Sequence, residues 1–210
     1  LIMNEQSHPT IVAFDVETTG LYHNRCHIIE LGSIKVSHTG SILDQFSRFA
    51  NPGYSLPHNI TQLTGITNEM VKDAEPSSKV IKDWFLWLDA ESILIAHNAS
   101  FDVGFVTKPM LDEKIDFENY WVVDTLDWAR CVFHYLPKHR LGVLLEHIQY
   151  NCENLHRAAD DARGTLHLAA HMIRSRKPSN KDEFYKLLLD RAKRIKDYLP
   201  KPKVEPSFNF

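Results

Sequence analysis

The stretch Ile11-Val12-Ala13-Phe14-Asp15-Val16-Glu17-Thr18-Thr19-Gly20-Leu21 constrains this chain more than any other. Ile11 to Phe14 is apolar and reads as a buried strand. Side chains alternate along a strand, so Asp15 and Glu17 point one way while Val16 returns to the core. Thr18-Thr19-Gly20 carries turn chemistry and ends the strand. Two parallel acids at the end of a buried strand resist desolvation and repel each other unless something positive lies between them. A divalent metal ion is the simplest such partner. The plain alternative is a strand end with two solvated acids, and this stretch alone leaves both open.

The rest of the chain narrows the choice. Its 210 residues suit one domain with a sizeable core. Hydrophobic content of 43% and charged content of 24% are those of a globular protein and exclude disorder throughout. No apolar run approaches a membrane span. Leu1 to Thr10 has neither a basic n-region nor an apolar h-region, so residues 1–8 read as a polar lead-in rather than a secretory signal. The three cysteines, Cys26, Cys131 and Cys152, are odd in number and form no C-x-x-C pair, which points to a reducing, cytoplasmic setting. Cys131 with His134 and Cys152 with His156 have short spacings, but neither has the paired cysteines of a structural zinc site. Charge is unevenly divided: residues 174–203 hold 11 Lys/Arg against 4 Asp/Glu, and residues 1–173 hold 13 against 22. The basic part could steer a polyanion or be a solvated helix face.

Two further strands are expected over His27–Val36 and Ser41–Ala50, joined by a short turn at His38-Thr39-Gly40, so the chain opens as an antiparallel meander. A loop follows, punctuated by Pro52-Gly53 and Pro57. Thr67 caps a short helix, and Pro76-Ser77-Ser78 opens a longer one whose Val80, Ile81, Trp84, Phe85 and Leu88 form one apolar stripe. Trp84 is expected in the core. Ser92–Ala96 reads as a central strand, Ala99–Leu111 as a helix that Pro109 kinks or ends, and Val122-Val123 as a fifth strand. Helices are expected over Thr125–Phe133, Leu141–Ile148, Asp160–Ile173 and 180–198. Pro200, Pro202 and Pro206 mark an extended tail. Three antiparallel strands, then parallel strands with helices between and after, predict an α/β fold: a mixed five-stranded sheet flanked by helices.

Three more acidic sites join the opening pair. His97-Asn98-Ala99-Ser100-Phe101-Asp102 follows a strand and opens a helix, which puts Asp102 in the first turn, where the helix dipole favours an anion. His156-Arg157-Ala158-Ala159-Asp160-Asp161 places a loop His before a helix whose first turn holds two acids. Asp124-Thr125 reads as a helix start, with Asp124 structural. Alone, each is ordinary helix-start chemistry. Together, Asp15, Glu17, Asp102 and Asp161 could converge on one sheet edge and hold two hard cations, the arrangement that clamps the attacking and leaving oxygens of a phosphoryl transfer. A histidine, with an ordinary pKa near neutrality, suits proton removal from water. The residues therefore predict metal-dependent phosphodiester hydrolysis.

Phe-Asp-Val-Glu-Thr-Thr-Gly-Leu, His-Asn-Ala-Ser-Phe-Asp and His-Arg-Ala-Ala-Asp-Asp-Ala, in this order, resemble the three motifs of the DEDDh 3′→5′ exonucleases, among them the epsilon proofreading subunits of bacterial DNA polymerase III. The likeness spans roughly residues 9–173 and includes Pro57-x-x-Ile60-x-x-Leu63-Thr64-Gly65-Ile66-Thr67 and Asp124-Thr125-Leu126. It implies a ribonuclease H-like exonuclease fold and two Mg²⁺ or Mn²⁺ ions. Asp15, Glu17 and Asp161 would be direct metal ligands, Asp102 a ligand through water, and His156 the general base. The family spacing selects Asp161 over Asp160. Thr18, Thr19, Leu21, Asn59, Thr64, His97, Asn98 and Phe101 would shape the terminal-nucleotide pocket, with Thr64 standing where the epsilon subunit has a His.

The organisation expected is a lead-in over 1–8, an exonuclease domain over 9–175, a basic C-terminal helix within 176–199 and a Pro-rich tail over 200–210. The expected substrate is a single-stranded or frayed 3′ end, DNA first and RNA as the alternative. The C-terminal helix or tail is a candidate contact for a protein partner, as in a polymerase-associated subunit, and no membrane is involved.

Overall fold

The computed structural model describes residues 9–117, 119–151 and 156–199. The lead-in 1–8, Cys152 and the tail 200–210 lie outside the described residues. Six strands form one sheet, β1 (Ile11–Thr18), β2 (Ile28–Val36), β3 (Ile42–Phe49), β4 (Ile93–Ala96), β5 (Trp121–Asp124) and β6 (Ala192–Arg194), in the order β3-β2-β1-β4-β5-β6. β1 pairs antiparallel with β2 and parallel with β4. The opening strand is thus central, and the acids at its end are framed by sheet on both sides.

Alternation along β1 divides the core. Val12, Phe14 and Val16 pack with Trp84 and Phe85 of α3 (Ser77–Trp87) and with Val103 and Val106 of α4 (Ala99–Asp112). Ile11 and Ala13 face the other layer, which is built from α5 (Thr125–Val132), α6 (Leu141–His147), α7 (Ala158–Arg174) and α8 (Lys181–Leu189). The period of two therefore turns Asp15 and Glu17 toward the α7 side. Trp84 is fully buried against Phe14, its ring nitrogen donating to Ser33 Oγ at 2.7 Å, as a core residue should.

Three departures from the sequence reading have identifiable causes. Residues 52–66, expected as loop, contain a helix, α1 (His58–Thr64), ahead of α2 (Asn68–Val71). Pro57 precedes α1, and Gly65 closes it in the left-handed region at φ 71°, a bracket that was available in the sequence. Pro109 does not end α4, which runs on to Asp112.

The third departure is the C-terminal segment. The single helix expected over 180–198 is three elements: α8, then β6, then a 3₁₀ turn over Ile195–Tyr198. β6 supplies the sixth strand by covering the outer edge of β5, where unpaired backbone groups would otherwise face solvent. Its basic residues staple that edge. Arg194 lies 3.9 Å over the Trp121 ring and donates to Asn119 O, while Lys193 approaches Asp127 at 3.6 Å. Ile195 is fully buried with α4. Among the described residues, no helix is long and apolar enough to cross a membrane.

Candidate metal and nuclease site

Three elements bring the acids together. Asp15 and Glu17 end β1. Asp102, 2% exposed in the first turn of α4, accepts the Val16 N–H at 3.2 Å, tying α4 to β1 between the two acids. The start of α4 is held in turn by Asp124, whose carboxylate accepts N–H groups from Asn98 (3.0 Å), Ala99 (3.1 Å) and Leu126 (2.9 Å). Asp124 therefore caps two helix starts at once, the structural role its position suggested. It also holds Asn98 in the left-handed region at φ 70°. Asp161, 8% exposed in the first turn of α7, accepts the His156 N–H on Oδ2 at 3.1 Å.

These carboxyls stand in each other's field. Burial, reinforced by Asp102, Asp161, Glu17 and Glu30, lifts Asp15 well above the usual carboxylate range. Burial and then Asp161, Glu30 and Asp102 push Glu17 up to about 8. Asp102 is also raised, mainly by burial. Burial raises Asp161 to about 6, against the lowering effect of the His156 N–H. Such a cluster is tolerable only when protonated or when cations neutralise it.

The orphaned oxygen and the donor set here fit a cation. Asp161 Oδ1 is buried and has no hydrogen-bond partner among the described residues. Glu17, His156 and Asp161 each offer a ligand atom, all within 4.8 Å of one another, and this is the one such group among the described residues. Carboxylate oxygens with one imidazole are the donor set of a hard or borderline divalent ion. The Cys131/His134 spacing gains no such support, since Cys131 is a free, exposed thiol; Cys152 lies outside the described residues.

A family model described as Exonuclease (RNase_T) matches residues 12–169, which span all three motifs. This chain belongs to the exonuclease family. The resemblance to the DEDDh 3′→5′ exonucleases is thereby borne out. The PolC-type DNA polymerase III of Oceanobacillus iheyensis is 43% identical over 166 residues, 78% of this chain and 11% of that protein. The chain thus spans about a tenth of the length of the curated relatives it matches. In fold the exonuclease is similar to E. coli exonuclease I in complex with a dT13 oligonucleotide, with a TM-score of 0.72 and 17% identity over 85% of this chain and 46% of that one. It is also similar to the nuclease domain of 3′hExo, a DEDDh family member bound to rAMP, with a TM-score of 0.67 and 18% identity over 82% and 95% of the two chains.

Around the acids, this exonuclease places the remaining expected site residues unevenly. Thr18 and Thr19 are buried; Thr18 Oγ1 donates to Gly20 O at 2.7 Å, and Thr19 Oγ1 meets Tyr54 OH at 2.7 Å and accepts the His27 N–H. Leu21 stands 75% exposed beyond them. Asn59 is exposed on α1. Thr64 is turned inward, donating to Ile60 O and accepting from Ile66 N–H. Both His97 ring nitrogens are engaged, with Thr125 Oγ1 and His139 O, each at 2.9 Å. Phe101 packs on Phe105 with ring centroids 5.0 Å apart. A cleft of about 950 Å³ runs from His156 and Asp161 past His97 and Asn98 to Arg130, His139 and Arg140.

The sequence reading missed Glu30 and gave Arg157 no role. Glu30, 1% exposed on β2, lies opposite Glu17 in the ladder and pairs with Arg157 at 2.8 Å. The signal was present: an acid in the middle of an apolar strand needs a partner as much as Asp15 does.

Proposed function

We propose that this exonuclease hydrolyses phosphodiester bonds from the 3′ end of a nucleic acid, DNA first, and releases nucleoside 5′-monophosphates in the cytoplasm. The observation that carries the reading is the buried Asp161 Oδ1, unpartnered among the described residues, beside Glu17 and His156. Asp15, Glu17 and Asp161 would hold two Mg²⁺ or Mn²⁺ ions directly, and Asp102 one of them through water. Bound there, such ions supply charge neutralisation at the phosphoryl oxygens and acidification of a water.

The chain's own groups do the rest. His156, exposed at the lip of the acidic cluster, takes a proton from the attacking water on a ring nitrogen. The water oxygen bonds to phosphorus, the bond from phosphorus to the 3′ oxygen breaks, and that oxygen takes up a proton from solvent. Thr18, Thr19 and Leu21, with Tyr54 hydrogen-bonded to Thr19 and with Asn59, seat the terminal nucleotide. The strand then leaves along the cleft past His97 and Asn98 toward Arg130 and Arg140, whose guanidinium groups suit phosphates.

Relatives named as DNA polymerases and a fold neighbour crystallised with oligothymidylate support DNA. The neighbour bound to rAMP keeps RNA as the alternative. Proofreading beside a polymerase is the setting this implies. The test is digestion of 3′- and 5′-labelled DNA and RNA, single- and double-stranded, with Mg²⁺, Mn²⁺ or EDTA. Stepwise shortening from the 3′ end that EDTA abolishes supports the reading, and intact 3′-labelled strands in both metals would sink it.

A further inference from the structure

We propose that Glu30 is a positioning residue for His156, acting through Arg157; this rests on the reading of His156 as the general base. Glu30 is one of the most deeply buried charged groups in the protein, at 1% exposure, and no motif contains it. Its carboxylate accepts from Arg157 Nη2 at 2.8 Å and from Arg157 Nε at 3.2 and 3.3 Å. It also accepts the Ala158 N–H at 3.1 Å. The two residues that follow His156 are therefore both fastened to one side chain on β2.

That fastening matters because of how His156 is held. Its backbone is left-handed, φ 72°, at a residue with a side chain. Such conformations persist only where the surroundings over-determine them. One restraint is its N–H bond to Asp161. A second is the Glu30 anchorage of Arg157 and Ala158. The guanidinium fork fixes direction as well as distance, and its plane lies 5.4 Å over the Phe49 ring of β3. The imidazole itself is exposed, so the backbone and its neighbours aim it. Glu30 also places a negative charge opposite Glu17, and Arg157 balances it.

The test uses Glu30→Gln, which keeps oxygen and shape but loses the charge, with Arg157→Lys as a second variant that keeps the charge and loses the fork. Turnover is expected to fall about tenfold or more while KM stays within about threefold, because aim is lost and binding is not. Combining Glu30→Gln with His156→Ala should be no slower than His156→Ala alone, since both remove one function. Amide hydrogen exchange over 156–161 should quicken about tenfold or more in both variants, with β1 and β4 unchanged. Losses that multiply in the double variant, or exchange that stays at the wild-type rate, would overturn the proposal. If wild-type protein releases no nucleotide, the nuclease reading falls, and the exchange rates alone still decide whether Glu30 fixes the His156 backbone.

Discussion

Glu17 at the end of β1 and Asp161 in the first turn of α7 present carboxylate oxygens within 4.8 Å of each other and of a His156 ring nitrogen. In the metal-free protein this proximity has a measurable sign. Glu17 is raised from 4.5 to about 8, first by burial and then by Asp161, so the folded state binds a proton that the unfolded state releases. Stability from that proton is present below pH 4.5 and is lost as pH rises toward 8. Asp161, raised to about 6, adds the same sign at lower pH. With EDTA, the melting temperature should fall between pH 6 and pH 8. Mg²⁺ or Mn²⁺ should restore it, and by more at pH 8, because the cation then displaces fewer protons. A flat metal-free profile would count against the cluster.

Asp15→Asn should separate stability from activity. Asp15 is lifted by burial and by four other acids, so its charge is a burden on the apo fold. The variant is expected to melt higher than wild type in EDTA and to gain less on adding Mn²⁺. Nuclease activity should fall by roughly 10³-fold, the equivalent of several kcal/mol of lost charge stabilisation. Paired melting curves and initial rates on a 3′-labelled oligonucleotide test both halves.

Asp124→Ala should lower stability and activity together. Three N–H donors would lose their acceptor, two of them at the start of α4. Leaving buried donors unsatisfied costs about 1–3 kcal/mol each when water cannot replace the partner. Denaturant unfolding should show a loss of at least that size with or without metal. Activity should fall too, because Asp102 rides on α4, but Asp124→Asn should recover part of both by keeping one acceptor oxygen.

The motifs were legible because each is local. Asp15 and Glu17 follow from strand period, and Asp102 from a helix start; the first turn of α7 offers both Asp160 and Asp161, and the family resemblance selects Asp161. What the sequence hid is non-local. β6 has three residues and no apolar alternation, and only the open edge of β5 explains it. The inward turn of the Thr64 hydroxyl depends on α1, whose Pro57 and Gly65 bracket the sequence showed but the loop reading passed over. Glu30 was visible as an acid in an apolar strand, but its partner stands on the far side of the chain at Arg157.

Gly32 gives the sharpest test of how closely that far side is packed. It lies opposite Asp15 in the β1–β2 ladder. A Cβ there would stand 2.2 Å from Ala159 N, 2.3 Å from Ala158 C and 2.6 Å from Ala159 Cα. All three atoms are backbone, so no side chain can swing aside. Restoring contact of about 3.5 Å requires the first turn of α7 to retreat by more than about 1 Å. Overpacking of this kind costs about 1–3 kcal/mol, and a 1 Å displacement of reacting groups about 10²-fold in rate. Gly32→Ala should therefore lose far more turnover than its melting temperature suggests, with weaker Mn²⁺ binding because Asp161 moves with the helix. Gly164→Ala is the control. It lies on α7, and its Cβ would meet Leu145 Cδ1 at 2.6 Å, the movable end of a side chain. It should cost stability while turnover stays within about threefold. Equal turnover in the two variants would show that α7 can shift without disturbing the acids.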